Sequence, residues 1–480
     1  MTTEDVPIEE EVLPLTEEVK KICMEDCDAP PVFFDMMGYH LISSTAGMCF
    51  RPMWLKIKRP NIYCIMASIP GRERRSSVME LHDILVDTSL MEYYVLIKNI
   101  SRDDAWKLVT LSKIESGTEA GICDAILEGI NGIEVTDGRK VSVDSFRFCS
   151  PEFGPTLKRM SSEKDPERGV DSLLCKFYSG EAHNYRLNQG GKTAKAGENR
   201  SRFIPVGLYF TMFSSMQEPQ NFLTQKMNDI GLLRRTKIGY VKTSDLKMTD
   251  WKSPFGSTIS SIDCHKQLRL LAKKEIVPKM IKYHKLLQEL RNESGCEEDY
   301  LNVDFDTESR KVITEMARKV DEALITDCSS YNIYKQSDWE HVSKYAILNA
   351  ISRDNWMGGN NPKGMLFVEI EDTNKAIADL KAIDSNASYI IDSIGKTEKM
   401  QETGTILDRM ESHIRRGGSA GRTRTQVAQR WSTIHKDELD LKLLTLIDQE
   451  KIFEAERPAR GGGKKATTIY VHMTYRDEYE

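Results

Sequence analysis

The chain has 480 residues, 40% hydrophobic and 29% charged, with a formal net charge of −6 at pH 7. That length accommodates roughly two to four domains, each with its own core, and the composition excludes wholesale disorder. No run reaches the ~18 apolar residues that cross a bilayer, and the mild acidity argues against a surface coated by nucleic acid while leaving room for a local basic site.

The first 50 residues read as an acidic, partly disordered lead that ends in a short extended or helical lid. Its acids (Glu4, Asp5, Glu9, Glu10, Glu11) are unlike a secretory signal, so a cytoplasmic protein is expected. Ten cysteines are scattered along the chain. Cys23 and Cys27 have no second pair at zinc-ligand spacing, and Cys264 beside His265 is too small a cluster for a metal. The cysteines therefore read as buried thiols in a reducing compartment.

From 51 to 250 the signals alternate. Strand-like runs fall at 62–67, 93–97, 108–111, 141–149, 206–213 and 237–241, with helix-like runs at 77–87, 119–129, 154–163 and 170–178. Alternation of this kind predicts an α/β domain, a largely parallel sheet covered by helices on both faces. The densest segment is Pro60 to Ser77, PNIYCIMASIPGRERRSS. An apolar strand stops at a turn around Pro70 and Gly71; Arg74, Arg75, Ser76 and Ser77 follow, and then a helical pattern. A strand feeding a turn that opens a helix is how phosphate is cradled: backbone N–H groups face the anion, a cation reaches the terminal phosphates and a hydroxyl holds magnesium. Against GxxxxGK[ST], the Lys falls on Arg75 and only Ser76 fits literally, so a plain strand–turn–helix is the alternative.

Residues 182–203 are polar and basic (Arg186, Lys192, Lys195, Arg200, Arg202) and read as a loop or hairpin, either facing DNA or simply exposed. From about 260 to 395 apolar residues recur near every 3.6 positions (Leu268, Leu271, Ile276, Met280, then Val342, Tyr345, Leu348, Ile351), predicting a helical domain. Trp339 and Trp356 read as core aromatics there. The segment 396–480 orders three helices, ending near Arg416, Trp431 and Gln449, before a hairpin whose tip is RPARGGGKK. Three helices followed by a basic-tipped hairpin is a winged-helix layout, in which helix and wing contact DNA phosphates and grooves. Arg415, Arg416, Arg422, Arg424, Arg430, Lys464 and Lys465 are the candidate DNA contacts, with Glu411 as their one nearby acid; a solvated charged face or a protein-docking winged helix is the alternative.

Over about 50–395, several segments in order resemble the RecA-like, helicase-like ATPases of archaeal and bacterial mobile elements, often the helicase part of primase–helicases. They are the loop at 60–77, SGTEAGICDAI at 116–126, FRFCSPEFGPTL at 146–157, LLCKFYSGE at 173–181, SSMQEP at 214–219 and DIGLLRRTKIGYV at 229–241. The resemblance implies a RecA/P-loop-like sheet, ATP and Mg2+ as cofactors, and a helicase or translocase motor in DNA replication. Ser68 stands where the family's first loop Gly is expected and Arg75 where Lys is usual; Arg keeps the charge but presents a bulkier planar fork.

On that resemblance Gly71 allows close backbone approach, Arg75 meets the β- and γ-phosphates, and Ser76 holds the metal, with Ser68, Arg74 and Ser77 completing the nucleotide set. Glu152 polarises the attacking water, Gln217 senses the γ-phosphate, and Arg234 or Arg235 reaches a neighbouring subunit's site. The plain alternatives are a helix-capping Glu152, a turn residue at Gln217 and a solvated arginine pair. A trans arginine implies a homo-oligomer, most plausibly a hexameric ring, and priming is expected from a separate primase. The competing reading is a catalytically degenerate DNA-binding scaffold or replication initiator; a transcriptional regulator is a third.

Overall fold

In the computed structural model the described residues are 14–480, apart from 53–58, 69–73, 162–168, 187–200, 220–221, 243–257, 295–299, 328, 355–364, 392–406, 408–409, 432–434, 449–450, 458–466 and 480. The chain divides into two units, Met1–Ile394 and Gly395–Glu480.

The apolar run after Asn61 becomes strand β1, Tyr63–Ser68, buried at every position. Such a run has no polar face, so it belongs inside a sheet covered on both sides. Its partners are β2 (Lys113–Ile114), β3 (Phe146–Phe148), β4 (Phe210–Gln217) and β5 (Thr236–Val241), all parallel, in the order β5-β1-β4-β3-β2. Register is explicit at both edges: Tyr63 lies beside Met212 and Thr236, Ser68 beside Gln217 and Val241.

Helices α1 (Leu15–Asp26), α2 (Pro31–Ser44) and α3 (Arg75–Ile97) accompany this sheet. The predicted acidic lead is thus corrected from residue 15 onward. Phe33, Phe34, Met36 and Met37 of α2 are fully buried in the main core, and α2 packs on β1, β4 and β5. Residues 93–97 are no strand; they are the last turns of α3. Aromatic and β-branched residues there satisfy burial on a helix that is hydrophobic around most of its girth. Residues 108–111 belong to α4, Arg102–Ser112, because Ser101 caps it by accepting from Asp104 N at 3.1 Å and Asp103 and Asp104 occupy its first turn. The run at 141–149 divides into a short hairpin strand and β3, and the run at 206–213 shifts to β4 at 210–217.

The 182–203 segment is a hairpin of His183–Arg186 with Ser201–Ile204. The block 260–395 is mainly helical, but Leu301–Phe305 and Met365–Val368 form a second parallel sheet with Phe50–Pro52. Short apolar runs between long helices carry little periodic signal, which is why they read as helix. In this block α-helices Thr258–Leu271 and Val277–Ser294 are joined by a π-turn at Ala272–Ile276. Pro278 follows it. Proline lacks an N–H and crowds the carbonyl four residues back, and the wider turn relieves both.

The second unit has a separate core of Leu407, Met410, Ile414, Val427, Leu439, Leu443, Leu446, Ile452 and Tyr470. Helices Arg424–Arg430 and Lys436–Asp448 precede the antiparallel hairpin Ile452–Arg457 with Thr467–His472, and Arg422–Thr423 adds a third strand. Gly421 turns the chain into that strand with φ +61°; a Cβ there would meet Tyr470 O at 2.8 Å.

Candidate functional site

The carboxyl ends of β1, β3 and β4 converge on one edge of the central sheet. Ser68 closes β1, its hydroxyl oxygen buried and without a hydrogen-bond partner. Its carbonyl accepts from Glu218 N at 2.9 Å, which ties the end of β4 beside it. The turn 69–73, including Gly71, lies outside the described residues. The chain resumes at Arg74, in the left-handed region at φ 46°, its Nε paired with Asp28 Oδ1 at 3.0 Å. Arg75 is the first residue of α3 and only 9% exposed. Ser76 is exposed and Ser77 half-buried. Helix geometry leaves the N–H groups of the first turn without intrahelical acceptors and turns the positive end of the dipole to this edge.

From the β3 side, Ser150 N donates to Ser214 Oγ at 3.3 Å and Ser215 N donates to Ser150 O at 2.9 Å. Ser215 Oγ donates to Pro151 O. These bonds carry the chain alongside β4 up to Glu152, which is exposed at the start of the helix Phe153–Ser161. Gln217, in register with Ser68, is likewise exposed. Ser68, Arg74, Arg75, Ser76, Ser77, Glu152 and Gln217 thus gather at one edge. Of the four non-glycine residues with positive φ among the described residues, Arg74 and Glu218 sit there too. Backbone strain of this kind gathers at ligand-binding sites.

Arg234 and Arg235 lie elsewhere. They form a short turn leading into Thr236, at the amino end of β5, on the opposite edge of the sheet from Ser68. Arg234 Nη1 donates to Gln336 Oε1 at 2.7 Å and Arg235 Nη1 to Gly231 O at 3.1 Å. Burial and the neighbouring Arg235 hold Arg234 below the usual arginine range.

Along α3, a groove of about 570 Å³ runs past Ser76, Glu80, Asp83 and Asp87, with Trp106 and Arg269 on its walls. The spacing of those four residues places them on one face of the helix. From sequence the groove's residues look like ordinary positions of an amphipathic helix, as Ile84 does in the helical pattern after Ser77.

In the second unit the arginines have separate fates. Arg424 forms a two-pronged pair with Asp440, Nε–Oδ1 at 2.6 Å and Nη2–Oδ2 at 2.8 Å. That corrects the expectation that Glu411 is the acid available to this cluster. Glu411 itself is engaged by Lys451 at 2.8 Å and His472 at 3.3 Å. Arg415, Arg416 and Arg430 are exposed and Arg422 half-buried. Burial first, and then the charges of Arg422, Arg430 and Arg416, push His413 below its ordinary value. The His413 ring meets Trp431 edge-on at 5.4 Å. Lys464 and Lys465 lie outside the described residues, as do Lys192, Lys195 and Trp356; Trp339 packs partly buried against the main core.

Chemically, hydroxyls, a helix N-terminus, a carboxylate and an amide lie along one edge of the sheet, residue types suited to an anion and a positioned water. No protein-family model and no curated protein matches the chain. Among the described residues no helix is long and apolar enough to cross a membrane.

Proposed function

We propose that the chain is an ATP-dependent, helicase-like motor acting on DNA in the replication of a mobile element. The observation that carries this reading is the strand order. From β1 the chain crosses to β2 at the far edge, returns through β3 and β4, and then passes beyond β1 to β5. Strands β1 and β4 are neighbours whose connections leave in opposite directions, and ligands of open parallel sheets lie in the crevice outside such a switch point. Ser68 and Gln217 end those two strands side by side. A 23-residue helix begins just past the β1 turn, as a RecA-like phosphate loop requires.

Bound ATP with magnesium supplies the phosphoanhydride to be cleaved and the charge that Ser76 helps hold. Around it, the first turn of α3 receives phosphate oxygens, Glu152 orients the attacking water and Gln217 meets the terminal phosphate. Arg234 and Arg235 serve a neighbour's site, because their own lies across the sheet. This requires head-to-tail packing, amino edge against carboxyl edge, which closes into a ring when the rotation permits. The second unit, read as a winged helix, grips DNA through Arg415, Arg416, Arg422 and Arg430. The reading expects DNA-stimulated phosphate release from the purified chain, cut by on the order of 100-fold or more in Glu152→Gln. Equal rates in the variant and the wild type would remove the motor assignment.

One observation favours a second reading. Arg75 is buried at the base of α3, whereas a phosphate-binding cation needs to reach the crevice. A DNA-binding scaffold or initiator that keeps the fold and has lost hydrolysis accounts for this. It predicts DNA binding with no ATP turnover at any DNA concentration.

A further inference from the structure

Beneath the groove, at the junction of α2, α3 and the end of β3, lies a buried cluster that the reading above does not use. His82 Nδ1 and Asp83 Oδ1 face each other at 3.6 Å. Both atoms are buried and neither has a hydrogen-bond partner. Cys149, immediately after β3, is fully buried, and one donor atom from each of His82, Asp83 and Cys149 lies within 4.8 Å of the other two. Two facing, unsatisfied polar atoms in a core demand a cause, and a missing ion is one of the recognised ones.

The surroundings narrow that cause. His82 Nε2 is 2.8 Å from His40 Nδ1, and Phe213 stacks on the His82 ring at a centroid distance of 4.4 Å. One proton lies between His40 Nδ1 and His82 Nε2: where His82 donates it, the lone pair of His82 Nδ1 points at the carboxylate and calls for a cation between them, and where His40 donates it, His82 Nδ1 carries its own proton toward Asp83, which a metal ion would displace. A shared proton needs the two atoms within hydrogen-bond distance, and 3.6 Å is too long for it. It does match the separation of about 3.3–3.8 Å between two ligands of a tetrahedral zinc. Neighbouring charges are already balanced: Arg147 pairs with Asp87, and Lys113 bridges Asp83 at 2.8 Å and Glu115 at 2.9 Å. A ligating imidazole whose other nitrogen is hydrogen-bonded and a ligating carboxylate held by a second group are the usual outer shell of a metal site.

We infer that His82, Asp83 and Cys149 form a binding site for a divalent transition-metal ion, zinc by ligand type. Binding replaces the Cys149 S–H bond by a sulfur–metal bond and releases that proton to solvent. The imidazole enters neutral and the carboxylate ionised, so the loaded site carries no net charge. Asp83 also lines the groove, which gives the ion its way in. The site ties α3 to the end of β3, with His40 of α2 hydrogen-bonded to its imidazole, and stands independently of whether nucleotide binds at the sheet edge.

The test uses the full chain, stripped with a chelator under reducing conditions and titrated with Co2+ alone. The expected result is saturation at one equivalent, with a thiolate-to-cobalt charge-transfer band and tetrahedral visible bands that zinc displaces. Cys149→Ser, checked for folding by circular dichroism, loses the charge-transfer band and binds on the order of 100-fold more weakly. If that variant does not fold, Asp83→Asn takes its place and is expected to weaken binding by a similar factor. No saturable thiolate band in the wild type overturns the inference, as does an unchanged titration in whichever folded variant is used.

Discussion

Lys344 shows how one residue couples packing to pH. It is fully buried, its ammonium donating to Asn61 O at 3.0 Å and Asn61 Oδ1 at 3.1 Å, near Glu340 at 3.3 Å and over the Tyr178 ring at 3.4 Å. Burial pulls it down to about 8 from the usual 10.5, Glu340 opposing. A base held below its unfolded value binds its proton less tightly in the folded state, so folding gains stability as pH rises from about 8 to 10.5. The stability of the wild type relative to Lys344→Met should therefore rise across that window by on the order of 2–3 kcal/mol, read by urea unfolding at each pH. A flat difference would mean that the amine is already neutral or is solvated. At the sheet edge, the strand end at Ser68 and the helix start at Ser76 are legible in hydropathy, whereas the grouping of Glu152 with them comes from the resemblance. The burial of Arg75 is not legible there. It depends on how α3 seats against elements distant in sequence, and a basic residue at a helix start looks the same exposed or buried.

Among the elements, the central sheet was readable where strands are continuous apolar runs, at 62–67 and 237–241, and misread where helices share that composition. Residues 93–97 are Tyr, Tyr, Val, Leu and Ile, a strand by propensity, yet they finish a helix whose length and burial override it. The strand at 301–305 escaped notice because its alternation is brief and lies between two long helices. Asp306, directly after it, is a junction that no local pattern announces. Its carboxylate accepts from Ser309 N at 2.6 Å, capping the helix Thr307–Thr326, and from Ile370 N at 2.8 Å at the start of the helix Ile370–Ile383. Asp306→Ala removes both bonds and should cost about 2 kcal/mol of unfolding free energy, where an isolated cap costs about 1. Asp306→Asn, which still accepts one bond, should fall between them in the same denaturation experiment.

For the whole molecule, the two units divide the proposed work between a sheet edge suited to phosphate and a cation cluster suited to a polyanion. In the full chain, Arg416→Ala and Arg430→Ala should each weaken duplex DNA binding and lower the slope of log affinity against log salt by about 0.9. Arg424→Ala, which breaks the pair with Asp440, should instead lower the stability of the second unit and leave the slope unchanged. Equal slopes for all three variants would show that Arg416 and Arg430 do not contact DNA phosphates. A nucleotide at the carboxyl edge beside Ser68 is checked by calorimetric titration of ATP into the full chain with and without magnesium. One equivalent is expected to bind per chain with magnesium, and Ser76→Ala to bind more weakly and without dependence on magnesium. An absence of measurable heat from the wild type, at protein and ATP concentrations where a millimolar site would register, would contradict that expectation.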